Sequence, residues 1–216
     1  TEDDHPTPGR SQVLEACALH CDVFRLAHTD GHGDPIDPLA CFVEDKQPLL
    51  VAALRERRER HDRGAHDTLE LERRARRAGV QISTRLVSDS GLPEDLPLVS
   101  RVLVAAPCTG SGVLRRHPDH RWRMGEDDIA AAALLQRRIL ADASRRVAAG
   151  GRLIYATCSV FRDEGEDVVQ DFLDRHPRFV LHEEPLRTWP QRDGCDGFFA
   201  ATLERTTKLR NGQPDG

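Results

Sequence analysis

The stretch Arg101–Arg116 reads RVLVAAPCTGSGVLRR. Five of its first six residues are apolar, which suits a buried strand, and APCTGSG then supplies a break rich in Gly and Pro. Such a strand delivers Cys108 to the carboxyl end of a sheet, where open α/β sheets place their chemistry. Fifty residues later RLIYATCSV repeats the arrangement. A strand is predicted over Arg152–Ala156, with Cys158 just past it. Two cysteines at two strand ends of one α/β domain are the features around which the other residues are read.

The 216 residues are enough for one domain with tails and a substantial core. Net charge is -5, so no global basic field draws the protein to nucleic acid, although local patches still can. Lys46 and Lys208 are the only lysines among 31 basic residues, a bias that reflects genome composition more than mechanism. No apolar run is long enough to span a membrane and no signal peptide is evident, so a soluble chain inside a cell or organelle is expected, without a membrane partner. The six cysteines do not form a disulfide-dense module. Cys17 and Cys21 flank His20, but no second CxxC pair completes a zinc site, and no metal is expected.

Residues 1–10 read as a tail or linker, 11–205 as one domain, and 206–216 as a polar tail. Strands are predicted over Gln12–Ala18, Leu39–Val43 and Val80–Val87. Helices are predicted over Pro48–Arg60 and Thr68–Ala78. Residues 55–77 carry nine Arg against six Asp or Glu. Their alternating signs fit a solvated helical surface. A long helix is predicted over Glu126–Val147, with a buried stripe of Ile129, Ala133, Leu134, Ile139 and Leu140. Another is predicted over Glu166–His176, followed by late strands over Phe179–Leu181 and Gly197–Leu203. The expected architecture is α/β and Rossmann-like, with a mainly parallel sheet and an antiparallel edge.

Several side chains have chemistry suited to these positions. Asp45 or Glu44, after the second predicted strand, suits the two hydroxyls of a ribose. Asp89 is placed to accept from an adenine amino group. Cys108 and Cys158 read either as a nucleophile with its helper or as small buried residues; thiolate nucleophilicity depends on nearby cations and helix ends. Arg115, Arg116, His117, His120, Arg121 and Arg123 cluster around Trp122, a composition suited to phosphate contact and base stacking. No P-loop, HExxH or Ser-His-Asp order is present.

Ala106–Gly112 (APCTGSG), continued by Leu114–Asp119 (LRRHPD), resembles the fourth motif of the RNA cytosine-5 methyltransferases, the Nop2/Sun/RsmB family. Thr157-Cys158-Ser159 with Glu164 and Glu166 resembles the sixth, and Asp196–Ala200 (DGFFA) resembles the final strand signature. The likeness extends from Pro8 to Arg205. It implies a class I methyltransferase fold that uses S-adenosylmethionine. It also implies that Cys158 attacks C6 of cytosine, making C5 nucleophilic, while Cys108 helps to remove the C5 proton and release the product. The target base must lie outside a stack.

The likeness also defines departures. Ala105 stands where the family has the Asp that recognises cytosine. Cys17–Val23 (CALHCDV) stands where the cofactor loop has Pro, two Gly and Lys, so side chains and the charge of Asp22 enter a site that needs close backbone approach. Glu15 replaces an Asp, Gly165 replaces an Asn, Asp45 and Asp89 match the remaining cofactor positions, and against the family's usual crossover 60–74 looks like a charged insertion. The chain starts at the core, so a partner is expected to supply the family's amino-terminal RNA-binding region. The expectation is a catalytically impaired protein serving as a structural or assembly subunit of an RNA–protein complex, with ribosomal RNA the expected RNA and no cofactor required. The alternatives are an active S-adenosylmethionine-dependent enzyme modifying rRNA or tRNA, and a protein–protein scaffold without RNA contact.

Overall fold

The computed structural model describes residues 39–43, 49–53, 73, 76–77, 82–86, 91–122 and 124–207. Eight strands form one sheet: β1 (Leu39–Val43), β2 (Leu49–Ala53), β3 (Ile82–Leu86), β4 (Val99–Ala105), β5 (Val147–Thr157), β6 (Phe179–Leu181), β7 (Leu186–Thr188) and β8 (Phe198–Arg205). Their order is β3-β1-β2-β4-β5-β8-β6, with β7 also paired to β8. The principal helices are α1 (Glu126–Ser144) and α2 (Glu166–Arg175).

The expectation of a mainly parallel sheet is corrected. Among the described strands only β2–β4 and β4–β5 are parallel; the other pairings, including β1–β2, β1–β3 and β5–β8, are antiparallel. Just residues 44–48 separate β1 from β2, too few for the crossover that a parallel pair requires. The helix predicted over Pro48–Arg60 is likewise corrected at its start, because Leu49–Ala53 is strand β2. A short apolar run such as LLVAA fits either element by pattern alone, and pairing with β4 decides it.

The centre of the sheet explains the run at 102–106. Val102, Val104, Leu153 and Tyr155 belong to one buried cluster with Ile139, Leu140 and Ala143 of α1, and Val168, Val169 and Phe172 of α2. The alternating residues Leu103, Ala105, Ile154 and Ala156 are buried as well, so β4 and β5 are covered on both faces and show no polar alternation. β8 completes this layer with Leu203 opposite Leu153 and Ala201 opposite Tyr155.

Helix α1 begins at Gly125, whose N–H donates to Asp128 at 2.9 Å. Glu126, Asp127 and Asp128 place negative charge at its positive end. The helix stops at Ser144, earlier than the predicted Val147, because Val147 is fully buried as the first residue of β5 and pairs with Val99. Residues 148–151 then bulge, since five steps along β5 match two along β4, with Gly150 at φ 73°. Leu134 is 63% exposed, whereas Gln136 occupies a fully buried position. At the carboxyl end, Thr206 N–H donates to Arg178 O at 2.7 Å, securing the first residue of the predicted tail.

Candidate active site

Strands β4 and β5 lie in register, Ala105 opposite Ala156, and Ala106 N–H extends the ladder to Ala156 O at 3.0 Å. The two chains therefore leave the sheet side by side. Their Cys108 and Cys158 Sγ atoms are 3.3 Å apart, and both residues are half-buried. Gly112 locks the two loops together: its N–H donates to Cys158 O at 2.8 Å and its carbonyl accepts Gly197 N–H at 2.9 Å. A Cβ on Gly112 would lie 2.0 Å from Gly197 O and 2.7 Å from Cys158 O. No side chain fits there.

Beneath the thiols lies a buried carboxylate. Glu164 is fully buried and accepts from Thr109 N–H at 2.9 Å, Thr109 Oγ1 at 2.6 Å, Ser159 Oγ at 2.6 Å and Gln136 Nε2 at 3.0 Å. Gln136 Nε2 also donates to Pro107 O at 2.8 Å, tying α1 to the residue before Cys108. The hydroxyl protons have one consistent arrangement. Ser159 Oγ accepts Phe161 N–H at 3.1 Å and gives its proton to Glu164. Ser111 Oγ accepts Val160 N–H at 2.9 Å, so its own proton goes to Ser159 Oγ at 3.0 Å. Tyr155 donates to the Glu164 carbonyl at 2.7 Å, and burial pushes its hydroxyl well above the ordinary phenol range. Both cysteine loops thus hang from one charge.

The thiols share a proton. A hydrogen bond from Cys108 holds Cys158 below the ordinary thiol range, aided by the Cys158 backbone amide and the Arg116 guanidinium. The same bond to Cys158 and burial hold Cys108 well above that range. The bond between the sulfurs thus favours ionisation of Cys158 over that of Cys108. Replacing Cys108 with Ala removes the donor and raises the Cys158 pKa. Alkylation of Cys158 by iodoacetamide at neutral pH is then expected to slow by about tenfold, with its midpoint moving to higher pH. Mass-spectrometric alkylation profiles of wild type and Cys108→Ala measure this directly.

The structure also accounts for Gly165. A Cβ there would lie 2.6 Å from Arg187 Nη2. Arg187 is only 13% exposed and forms a two-pronged ion pair with Glu166, with Nε to Oε1 at 2.8 Å. It also donates to Val160 O at 3.2 Å and lies 4.9 Å from the Phe199 ring centroid. Where the resembled family has an Asn, this chain seats an arginine from β7 that braces the loop after Cys158.

Of the residues proposed from sequence, Cys108 and Cys158 come together, and Ala105 lies buried at the end of β4 with only a methyl group to offer. Arg115 and Arg116 both pair with Asp196, the Arg115 contact at 3.5 Å, and each side chain remains 61% exposed. His117 stacks on His120 at 5.5 Å between ring centroids. Arg121 lies 5.8 Å over Trp122, which is 84% exposed. Glu15, Asp45, Asp89 and the 17–23 loop fall outside the described residues, as does most of the 60–74 segment. Gln136, Thr109, Ser111, Ser159 and Arg187 were not singled out from sequence. For Gln136 a signal exists, a polar residue at helical spacing between buried Ala133 and Leu140.

A family profile described as 16S rRNA methyltransferase RsmB/F matches residues 51–204. Ribosomal RNA small subunit methyltransferase B of Sodalis glossinidius is 37% identical over 152 residues, covering 66% of this chain and 34% of that protein. The Thermus thermophilus protein of the same name is 36% identical over 154 residues, covering 63% of this chain and 38% of its own. The chain thus spans well under half the length of these curated relatives. The solved structure of NSun6 from Pyrococcus horikoshii aligns with a TM-score of 0.58 at 24% identity, over 73% of this chain and 41% of that one, a likeness of fold. With the profile covering most of the chain and the paired cysteine loops in place, the chain belongs to the RsmB/Nop2/Sun family of RNA cytosine-5 methyltransferases and has a methyltransferase-like mixed α/β fold.

Proposed function

We propose that this chain carries the catalytic module for methyl transfer to C5 of cytosine in RNA, with ribosomal RNA the substrate class its relatives' names favour. The observation that carries this reading is the thiol pair, 3.3 Å apart on a shared carboxylate platform. Cys158 adds as a thiolate to C6 of an unstacked cytosine, and the displaced electron pair makes C5 nucleophilic. S-adenosylmethionine, when bound, supplies the methyl group; the matching positions Glu15, Asp45, Asp89 and 17–23 lie outside the described residues, so no contact to it is assigned. Once Cys158 has become a thioether its charge is gone, and with it the largest influence holding the proton on Cys108. Cys108 then releases that proton to solvent, its thiolate takes the proton from C5, and the re-forming C5–C6 double bond expels the Cys158 thiolate. Trp122, exposed with Arg121 over its ring, supports RNA contact in the segment that follows Cys108.

Ala105 favours a second reading, an impaired protein retained as a structural subunit of an RNA–protein complex, because its buried methyl group cannot hydrogen-bond a base. Ala105→Asp separates the two. Loss of one preorganised contact costs about 10²- to 10³-fold in rate, so this variant is expected to accelerate transfer of a labelled methyl group into RNA by roughly that factor. Slow but measurable transfer by the wild type supports the first reading, transfer by Ala105→Asp alone supports the second, and none by either overturns the methyltransferase assignment. Among the described residues no helix is long and apolar enough to cross a bilayer.

A further inference from the structure

We infer that Cys108 and Cys158 form an oxidisable dithiol that a small hydroperoxide closes into a reversible intramolecular disulfide. The sulfurs stand 3.3 Å apart, against about 2.05 Å in a disulfide bond, so closure needs side-chain rotation and a small loop shift. The backbone holds the pair together whatever the state of the sulfurs: Gly112 N–H donates to Cys158 O at 2.8 Å, and Gln136 grips Pro107 O at 2.8 Å. Both residues are half-buried, at the ends of their strands and outside the hydrophobic core. At this separation, ionisation of one sulfur places an attacking thiolate beside a resolving thiol, the combination that distinguishes reversible redox cysteines from inert ones.

The chemistry balances with one hydroperoxide. The Cys158 thiolate attacks the terminal peroxide oxygen, the O–O bond breaks, and the alcohol (water, from hydrogen peroxide) leaves after protonation, giving a sulfenic acid. Cys108 then attacks that sulfur, the S–O bond breaks, and water departs with the Cys108 proton. Two electrons from the pair have reduced the peroxide, and two hydrogens have left the protein. Cys195, an exposed free thiol, provides an internal comparison. The consequence for catalysis, that the disulfide ties up the sulfur needed for attack on cytosine, rests on the proposed function; the oxidation itself does not.

The test treats the reduced full chain with equimolar hydrogen peroxide, alkylates the remaining thiols after denaturation, and maps the peptides by mass spectrometry. The expected result is a Cys108–Cys158 cross-linked peptide, lighter by two hydrogens, in both wild type and Cys195→Ser. Dithiothreitol is expected to restore alkylation of both residues. With a second equivalent of peroxide, Cys108→Ala is expected to carry Cys158 onward to the sulfinic acid. Oxidation of wild-type Cys158 to sulfinic acid with Cys108 still alkylated, or cross-links that run mainly to other cysteines, overturns the proposal. If the disulfide forms in an active preparation yet methyl transfer is the same before and after dithiothreitol, the dithiol stands and the assignment of Cys158 as nucleophile falls.

Discussion

Glu164→Leu is expected to destabilise the domain by at least about 3 kcal/mol, because the leucine leaves several buried donors without an acceptor at about 1–3 kcal/mol each. The donors are Thr109 N–H, Thr109 O–H, Ser159 O–H and Gln136 N–H, all now directed at one fully buried carboxylate. They belong to the two cysteine loops and to α1, so the loss also lets Cys108 and Cys158 drift apart. Glu164→Gln is a milder change of nearly the same volume. Its amide N–H₂ faces hydroxyls of which Ser159 already accepts twice, from Phe161 N–H and Ser111 O–H, so a defect of about 1–3 kcal/mol remains. Urea unfolding of the three proteins measures the order wild type, Gln, Leu. A Leu variant as stable as wild type would show that the carboxylate does not organise the site.

Separating the cysteines gives the second large effect. Cys158→Ala removes the nucleophile and is expected to lower methyl transfer by at least about 10³-fold, the scale seen when a group in a concerted catalytic unit is deleted. Cys108→Ala leaves the nucleophile but removes the proton acceptor needed for release. Turnover falls by a similar factor, but the protein stays joined to its RNA through Cys158. Denaturing gels with labelled RNA distinguish them: a retained band for Cys108→Ala and none for Cys158→Ala. Equal retention by both variants would contradict the division of roles.

What the sequence revealed depended on how local the deciding forces were. Strand β4 was legible because burial on both faces leaves an uninterrupted apolar run, and the next turn needs Gly110 for its positive φ and Gly112 for its close contacts. Leu49–Ala53 was misread because five apolar residues fit helix and strand equally until a neighbouring strand selects one. The buried stripe of α1 was placed on Leu134 by hydrophobicity, whereas the folded site needs the amide of Gln136 inward to meet Pro107 and Glu164. Thr109 and Glu164 are 55 positions apart, and Arg187 reaches Glu166 across 21; no short-range pattern announces either partnership. Arg115 and Arg116 read as phosphate contacts, but only the fold shows Asp196 beside them.

The central claim is that the Cys158 sulfur adds to C6 of cytosine. RNA carrying 5-azacytosine tests it with the unmodified chain, because a ring nitrogen at position 5 has no C–H proton to lose and the adduct cannot resolve by elimination. The wild-type chain, incubated with this RNA and S-adenosylmethionine, is denatured, digested and mapped by mass spectrometry. One nucleotide-bearing peptide is expected, joined through Cys158. An adduct on Cys108, or no adduct under conditions where the RNA is bound, would contradict it.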